Sequence, residues 1–572
     1  MGRSRLFRRG LIPWTLPAAV LLCGSLGAPS VLAQGLPPVL PPSLDPNRLE
    51  QRFERPLTPQ SLPEIEMPAP EKAPPPKDAE RITLTLNDLQ LSGNTVYDTA
   101  ILSESWRALL NRTVTLADLY GVRDAITAKY RNDGYVLSQA IVPAQRIRNG
   151  VVRLEVVEGY VSDVQIQGEA RDRLGLLRAM GEKIKASRPL RMDEMERYVL
   201  LADDLPGVAV KTVLEAAPDT PGASQLTLTL ERTPFDGSLS LDNRGTRSVG
   251  PMQATGLVNI EDQFGLFERT TVQGIATQQV RELRFLDLAQ SIPVDAEGTM
   301  LQYGVRRSWS QPGDSVRPLE LDSLTSSVRV SLSHPFLRSR AQTLRGDLSF
   351  TFRDSATTAL GDKLSEDRLR IVAADLSYDV SDDWGGSNVV SLQASKGLDI
   401  LHPTRSGSPG LTRSGGRSDF RKFNLTAQRN QKLGEAYILV LAGEAQYSPD
   451  ELLSAEEFGV GGKQYGRAFD SSEISGDNGF STRAELQYIV PVSQEDLDYA
   501  MLYGFGDYGA VWNYETGSRH GRRSLGSAGV GVRFGIFQRI DANIEIAKPF
   551  IAVPASTLDR AARVFFSLST RF

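Results

Sequence analysis

Residues 344–352 read LRGDLSFTF, and the two-residue alternation of this short stretch decides the fold class. Leu344, Gly346, Leu348, Phe350 and Phe352 fall on one side of an extended chain, and Arg345, Asp347, Ser349 and Thr351 on the other. Such a strand has one face for an apolar medium and one for a wet one. The pattern recurs in both directions along the chain. SVRVSLS (327–333) sets Val328, Val330 and Leu332 against Arg329 and Ser331. TRAELQYIV (482–490) sets Ala484, Leu486, Tyr488 and Val490 against Arg483, Glu485 and Gln487.

Charged residues persist on the polar face strand after strand, in one run that occupies residues 234–572. A soluble sandwich of that length would break into domains with separate cores. Apolar-out, polar-in segments of about ten residues are instead the signature of a transmembrane β-barrel. Polar connections such as HPTRSGSPGLTRSGGRSD (402–419) suit an exposed rim. At about 20 residues per strand and loop, the run predicts roughly 16 antiparallel strands. At the chain end, VFFSLSTRF (564–572) places Val564, Phe566, Leu568, Thr570 and Phe572 on one face, with an aromatic residue last.

Two small α+β domains are predicted ahead of the barrel, over residues 81–160 and 161–233, each in the order β-α-α-β-β. In the first, ITLTLNDLQLSGNTVY (82–97) alternates as a strand, helices are expected over 98–110 and 115–131, and YVLSQAIVP and VVRLEVVEG follow as strands. In the second, helices are expected over 172–186 and 192–203. Each sheet would leave an edge strand unpaired. Residues 34–80 are proline-rich and read as an extended, semi-rigid lead. Within it, DPNRLEQRFER (45–55) offers Asp45 as N-cap, Pro46 at the first helical position and Leu49 with Phe53 at i,i+4, which predicts one short helix. Residues 1–33 read as a signal peptide, with Arg3, Arg5, Arg8 and Arg9, an apolar run over 16–22, and Val31, Leu32 and Ala33 before the cleavage point.

The chemistry of the chain is sparse. Cys23 is the only cysteine, and it falls in the expected signal peptide. His334, His402 and His520 lie far apart, and no HExxH, Walker or GxSxG pattern occurs. The sequence therefore predicts no catalytic site, no metal and no cofactor. A net charge of −5 without a basic face argues against nucleic acid. Beyond residue 33 no apolar run approaches the ~20 residues of a spanning helix.

DGYVLSQAIVPAQRIRNGVVRLEVVEGYV (133–161) resembles the POTRA domain of the haemolysin secretion/activation transporters, the outer-membrane components of two-partner secretion. LSGNTVY (91–97) and LADDLPGVAV (201–210) also fit that family. GVGGKQYGRAF (459–469) resembles its pore-loop motif, through Gly461, Gly462, Tyr465, Gly466, Arg467 and Phe469, with Ala468 where many relatives carry glycine. GFGDYG (504–509) resembles its strand motif, whose inward aspartate, here Asp507, pairs with the loop arginine.

The resemblance implies a protein transporter in the outer membrane of a Gram-negative bacterium, with POTRA domains in the periplasm. It implies a secreted exoprotein (adhesin, haemagglutinin or cytolysin-like) as cargo, outer-membrane lipid as surroundings, and a plug formed by the helix of Leu49 and Phe53. The terminal strand, through Phe566, Leu568 and Phe572, would be the signal read by the barrel-assembly machinery. An assembly insertase of the same superfamily is the alternative reading.

Overall fold

The computed structural model describes residues 42–45, 48, 52–53, 59, 74–169, 171–217, 220–515 and 518–572. The expected signal peptide, Cys23, Leu49 and most of the proline-rich lead lie outside the described residues. Sixteen antiparallel strands close into a barrel, from Phe235–Asp242 to Arg563–Arg571, each paired with its neighbours along the chain. The transmembrane barrel expected from the alternation is thus present, with the strand number expected.

Its burial pattern is that of a soluble protein turned inside out. Leu348 is 57% exposed, while the adjacent Ser349 is 6% exposed. Val328, Val330 and Leu332 are likewise exposed, and Ser327 and Ser331 are buried. Aromatic pairs bound this apolar belt. Tyr437 meets Tyr488 in a tilted pair at one end of the strand Tyr437–Tyr447, with ring centroids 5.1 Å apart, and Tyr447 stacks on Phe423 at the other, 6.5 Å apart. The ten steps along this strand of 11 residues, at a rise of ~3.3 Å each and tilted by about 40°, cover roughly 25 Å of membrane normal. That matches the apolar band of a bacterial barrel.

The second α+β domain sits at the end of the barrel at which the first strand begins, here termed proximal. In the second domain, strands Tyr160–Gly168, Val208–Ala216 and Ala223–Arg232 form one sheet with Ala223–Arg232 central, so both outer strands keep a free edge. Helices Leu176–Ala186 and Met192–Asp203 cover one face. The first begins four residues later than its periodicity suggests. Asp172 accepts hydrogen bonds from the Leu176 and Leu177 amides at 2.8 and 3.0 Å and so caps it from a distance.

This domain is bolted to the proximal turns. Phe267 of one turn is fully buried in the domain core. Arg338 grips Asp204 through two nitrogens, at 2.7 and 2.8 Å, and Glu196 meets the Arg340 amide. Glu297 accepts from Lys183 at 2.8 Å and from the Tyr198 hydroxyl at 3.1 Å.

The first domain corrects the sequence reading in three places. The predicted strand over 82–97 is two strands, Thr83–Leu86 and Asp88–Ser92, which belong to different sheets. Thr83–Leu86 pairs with an unpredicted strand, Arg112–Thr115, and Asp88–Ser92 lies parallel to Val151–Val157. Alternation continues across the break at Asn87, so periodicity could not reveal it. The predicted helix over 98–110 is one α-turn, Thr99–Leu102, followed by 3-10 turns. Ser103 and Ser105 donate back to the Ala100 and Leu102 carbonyls, which tightens the chain and sinks Trp106 into the core. Of YVLSQAIVP only Gln139–Ile141 is strand.

Glu158 ties this domain together. Its carboxylate accepts from the Thr95 amide at 2.7 Å, the Val96 amide at 3.0 Å and the Tyr130 hydroxyl at 2.7 Å, as well as from the Thr95 hydroxyl. Burial pushes this carboxyl up, but those bonds outweigh it and hold Glu158 below the ordinary glutamate value. The stretches LSGNTVY and VVEG therefore meet through one side chain.

Candidate functional site

The connection after the eleventh barrel strand, residues 448–477, runs into the lumen rather than out from the rim. Its small hairpin, Phe458–Val460 with Ile474–Gly476, forms a sheet of its own. Phe458, Val460, Ala468 and Phe469 pack against inward side chains of the wall: Tyr503, Phe505, Val511, Leu525, Ala547 and Phe565. The motif glycines make the fold-back possible. Gly461 has φ +121°, and a Cβ there would lie 2.2 Å from the Asp470 carbonyl oxygen. Gly462 and Gly466 also have positive φ, and Tyr465 is buried beside them.

Arg467 ends this turn as a buried cation, 3% exposed, held by three carboxylates. Asp507 accepts from the Arg467 amide at 3.0 Å and from its guanidinium at 3.2 and 3.4 Å. Glu485 accepts at 2.7 Å and Glu545 at 3.2 Å. The guanidinium also lies 3.3 Å over the centroid of Phe505. Ser527 donates to Asp507 at 3.2 Å, and Tyr503 donates to Glu545 at 2.9 Å. Arg533 donates to Glu485 at 2.8 Å, and Arg244 pairs with Glu545. Three arginines thus face three carboxylates, and their mutual attraction and hydrogen bonds offset the desolvation penalty of the buried charges. Arg563 fixes the far side of the loop, on Asp470 at 2.8 Å and on the Ala468 carbonyl at 3.0 Å.

The lead segment reaches the same loop. Pro42–Leu44 is a 3-10 turn, and Arg48 is buried, donating to the Ser454 carbonyl at 2.7 Å and to the Glu457 carboxylate at 3.4 Å. Asp45 accepts from the Ser454 hydroxyl. Phe53 lies across the lumen on Phe285, centroid to centroid 5.1 Å, beside Val249 and Leu283. Most of the helix expected over 45–55, Leu49 included, lies outside the described residues.

At the other terminus, Phe566, Leu568 and Phe572 face outward on the closing strand, with Leu568 and Phe572 exposed. The Phe572 ring lies over Gly237, where a Cβ would come within 2.5 Å of it.

Sequence reasoning brought forward Arg467 and Asp507 but not Glu485 as a partner, nor Glu545, Arg244 or Arg533. Glu485 stood on the polar face of TRAELQYIV, and alternation places it inside without saying what it meets. Arg48 was passed over in favour of Leu49 and Phe53, although a cation in an apolar-spaced segment was a usable signal.

Residues 222–534 match the family of the haemolysin secretion/activation proteins ShlB/FhaC/HecB, and residues 84–159 match the ShlB-type POTRA domain. The heme/hemopexin transporter protein HuxB of Haemophilus influenzae is 22% identical over 80% of this chain and 81% of its own length. The outer membrane transporter CdiB of Escherichia coli is 26% identical over 84% of this chain and 79% of its own. The solved structure of CdiB from Escherichia coli superposes with a TM-score of 0.70 at 21% identity, covering 89% of this chain and 93% of that one, and so shares the fold.

Proposed function

The chain belongs to the haemolysin secretion/activation protein family ShlB/FhaC/HecB, and from that premise we propose how its residues divide the work of export. The protein is an outer-membrane transporter of the two-partner secretion type, with its POTRA domains in the periplasm. The insertase alternative is not favoured, because the match over residues 222–534 is to the secretion family.

An unfolded partner exoprotein, of adhesin, haemagglutinin or cytolysin-like character, docks on the periplasmic domains by adding a strand to a free edge. The free edges of Tyr160–Gly168 and Val208–Ala216 suit this, since backbone bonds give affinity without demanding a fixed sequence. The partner then enters the lumen as the lead segment leaves its seat on Ser454 and Glu457. The loop stays anchored by Arg467 on Asp507, Glu485 and Glu545, as one wall of the conduit. No nucleotide is needed, because folding of the partner at the surface draws the chain outward. Phe566, Leu568 and Phe572 serve earlier, as the signal by which the assembly machinery inserts the barrel into lipid.

The observation that carries this reading is the filled lumen. The loop and the lead segment meet inside the barrel, held by polar contacts and side-chain packing rather than by the barrel ladder. The test is co-expression with a candidate exoprotein, following its release at the cell surface. Release is expected only with the intact chain, and deletion of residues 81–160 is expected to abolish capture of an unfolded N-terminal partner fragment. Undiminished capture by the deleted form would refute the docking step.

A further inference from the structure

The barrel closes where its first strand, Phe235–Asp242, meets its last, Arg563–Arg571. This seam has five ladder pairs, Asp242 with Ser567 through Ser238 with Arg571, whereas the first strand pairs over eight with Gln253–Glu261 on its other side. At the periplasmic end Gly237 and Phe572 exchange backbone bonds of 3.0 and 3.1 Å. At the extracellular end the ladder gives out after a 3.3 Å bond from the Asn243 amide to the Phe566 carbonyl, and side-chain bonds supplement it. The Asn243 side chain donates to the Val564 carbonyl at 3.0 Å and accepts from the Phe566 amide at 2.8 Å, in the manner of one more backbone unit.

Arg244 then crosses the seam. One guanidinium nitrogen donates to the Arg467 carbonyl oxygen at 2.8 Å, another pairs with Glu545, and the group lies 3.8 Å over the Phe565 ring. Glu545 is also a partner of Arg467, at 3.2 Å. A residue next to the first strand therefore holds the strand that precedes the last one, the last strand itself and the pore loop at once.

We infer that Arg244 is a positioning residue that couples seating of the pore loop to closure of the barrel seam. Arg244 and Arg467 share partners across the seam. If the loop leaves its seat, Arg244 loses the Arg467 carbonyl and Glu545 loses a cation, so the pair that spans the seam loses the geometry that holds it. The extracellular end of the seam is then left to Asn243 and the five ladder pairs. This goes beyond the export reading, because it concerns the empty barrel. The simpler assignment, local packing of Arg244 on Phe565, makes a different prediction: loop displacement and loss of Arg244 would then act independently.

Hydrogen–deuterium exchange of the full chain in detergent micelles separates the two. Peptides covering 235–242 and 563–571 report the seam, and Gln342–Ala359 serves as internal reference. Arg467→Ala and Arg244→Ala are each expected to raise seam exchange about tenfold with the reference unchanged. The double variant is expected to match the larger single effect, since both act through one link. The inference is overturned if Arg467→Ala raises seam exchange as much in the Arg244→Ala background as in the native chain, or if Arg244→Ala leaves the seam at its native rate. Should Arg244→Ala not assemble, Arg244→Gln takes its place in the same comparison. A chain that exports poorly yet shows the non-additive pattern keeps this inference, and one that exports normally without it loses only this inference.

Discussion

Arg48 and Glu457 meet inside the barrel although 409 residues separate them in the chain. The contact sets the lead segment against the base of the pore loop, so that one buried cation has its hydrogen-bond acceptors on the element it would leave in the proposed export cycle. Replacing Arg48 with alanine is expected to unseat the lead segment. In planar bilayers the variant should show larger and more frequent ion conductance than the native barrel. Native conductance would mean that Arg48 does not hold the lumen closed.

The pore-loop anchor gives a second prediction. Removing Arg467 leaves three carboxylates buried around an empty site, a change that costs about 3–5 kcal/mol for a buried pair. Arg467→Ala should cut surface release of the partner tenfold or more while the barrel still assembles, as judged by heat-dependent mobility in gels. Asp507→Asn should fall in the same direction but less steeply, because Glu485 and Glu545 still hold the guanidinium. Native export by Arg467→Ala would end the assignment.

The route itself can be tested at the seam. Ser240 and Ser569 are register partners, and Cys23 is the only cysteine in the sequence. Cysteines at 240 and 569 are close enough to bridge. With the seam locked by this disulfide, export through the lumen is expected to continue at the native level. Block by oxidation, relieved by reductant, would show that the partner leaves sideways.

The first POTRA domain should respond to acid through Glu158. Its folded carboxyl lies below the ordinary value of 4.5, so its contribution to stability is full above about pH 4.5 and is lost as pH falls through the lower folded value. Glu158→Gln should make residues 84–159 more susceptible to protease in the full chain at neutral pH and remove that part of the acid response. Equal protease resistance of native and variant chains at pH 7 would count against Glu158 as the tie.

Much of this architecture was legible in one dimension. The barrel could be read because exposure to lipid on one face and water on the other imposes a two-residue period, and LRGDLSFTF displays it without interruption. Arg467 and Asp507 could be singled out because each sits in a motif. Glu545, in IDANIEIAKP, could not: alternation places it inside, but which inward residues meet depends on strand tilt and stagger around the whole barrel. Asn87 and Ser103 mark the other limit. A strand that breaks between two sheets keeps its alternation, and a helix that unwinds into 3-10 turns keeps its apolar spacing, so local pattern was satisfied while tertiary pairing chose otherwise.

At the pore-loop anchor, Arg244, Arg467 and Arg533 are matched by Asp507, Glu485 and Glu545, and the six charges sum to zero. A polypeptide sliding past feels dipoles whose field fades over a few ångströms, not a monopole that reaches across the channel. Acidic and basic stretches of it are then neither trapped nor turned back there. In the proposed export cycle, choice of cargo then falls to the periplasmic domains rather than to this anchor.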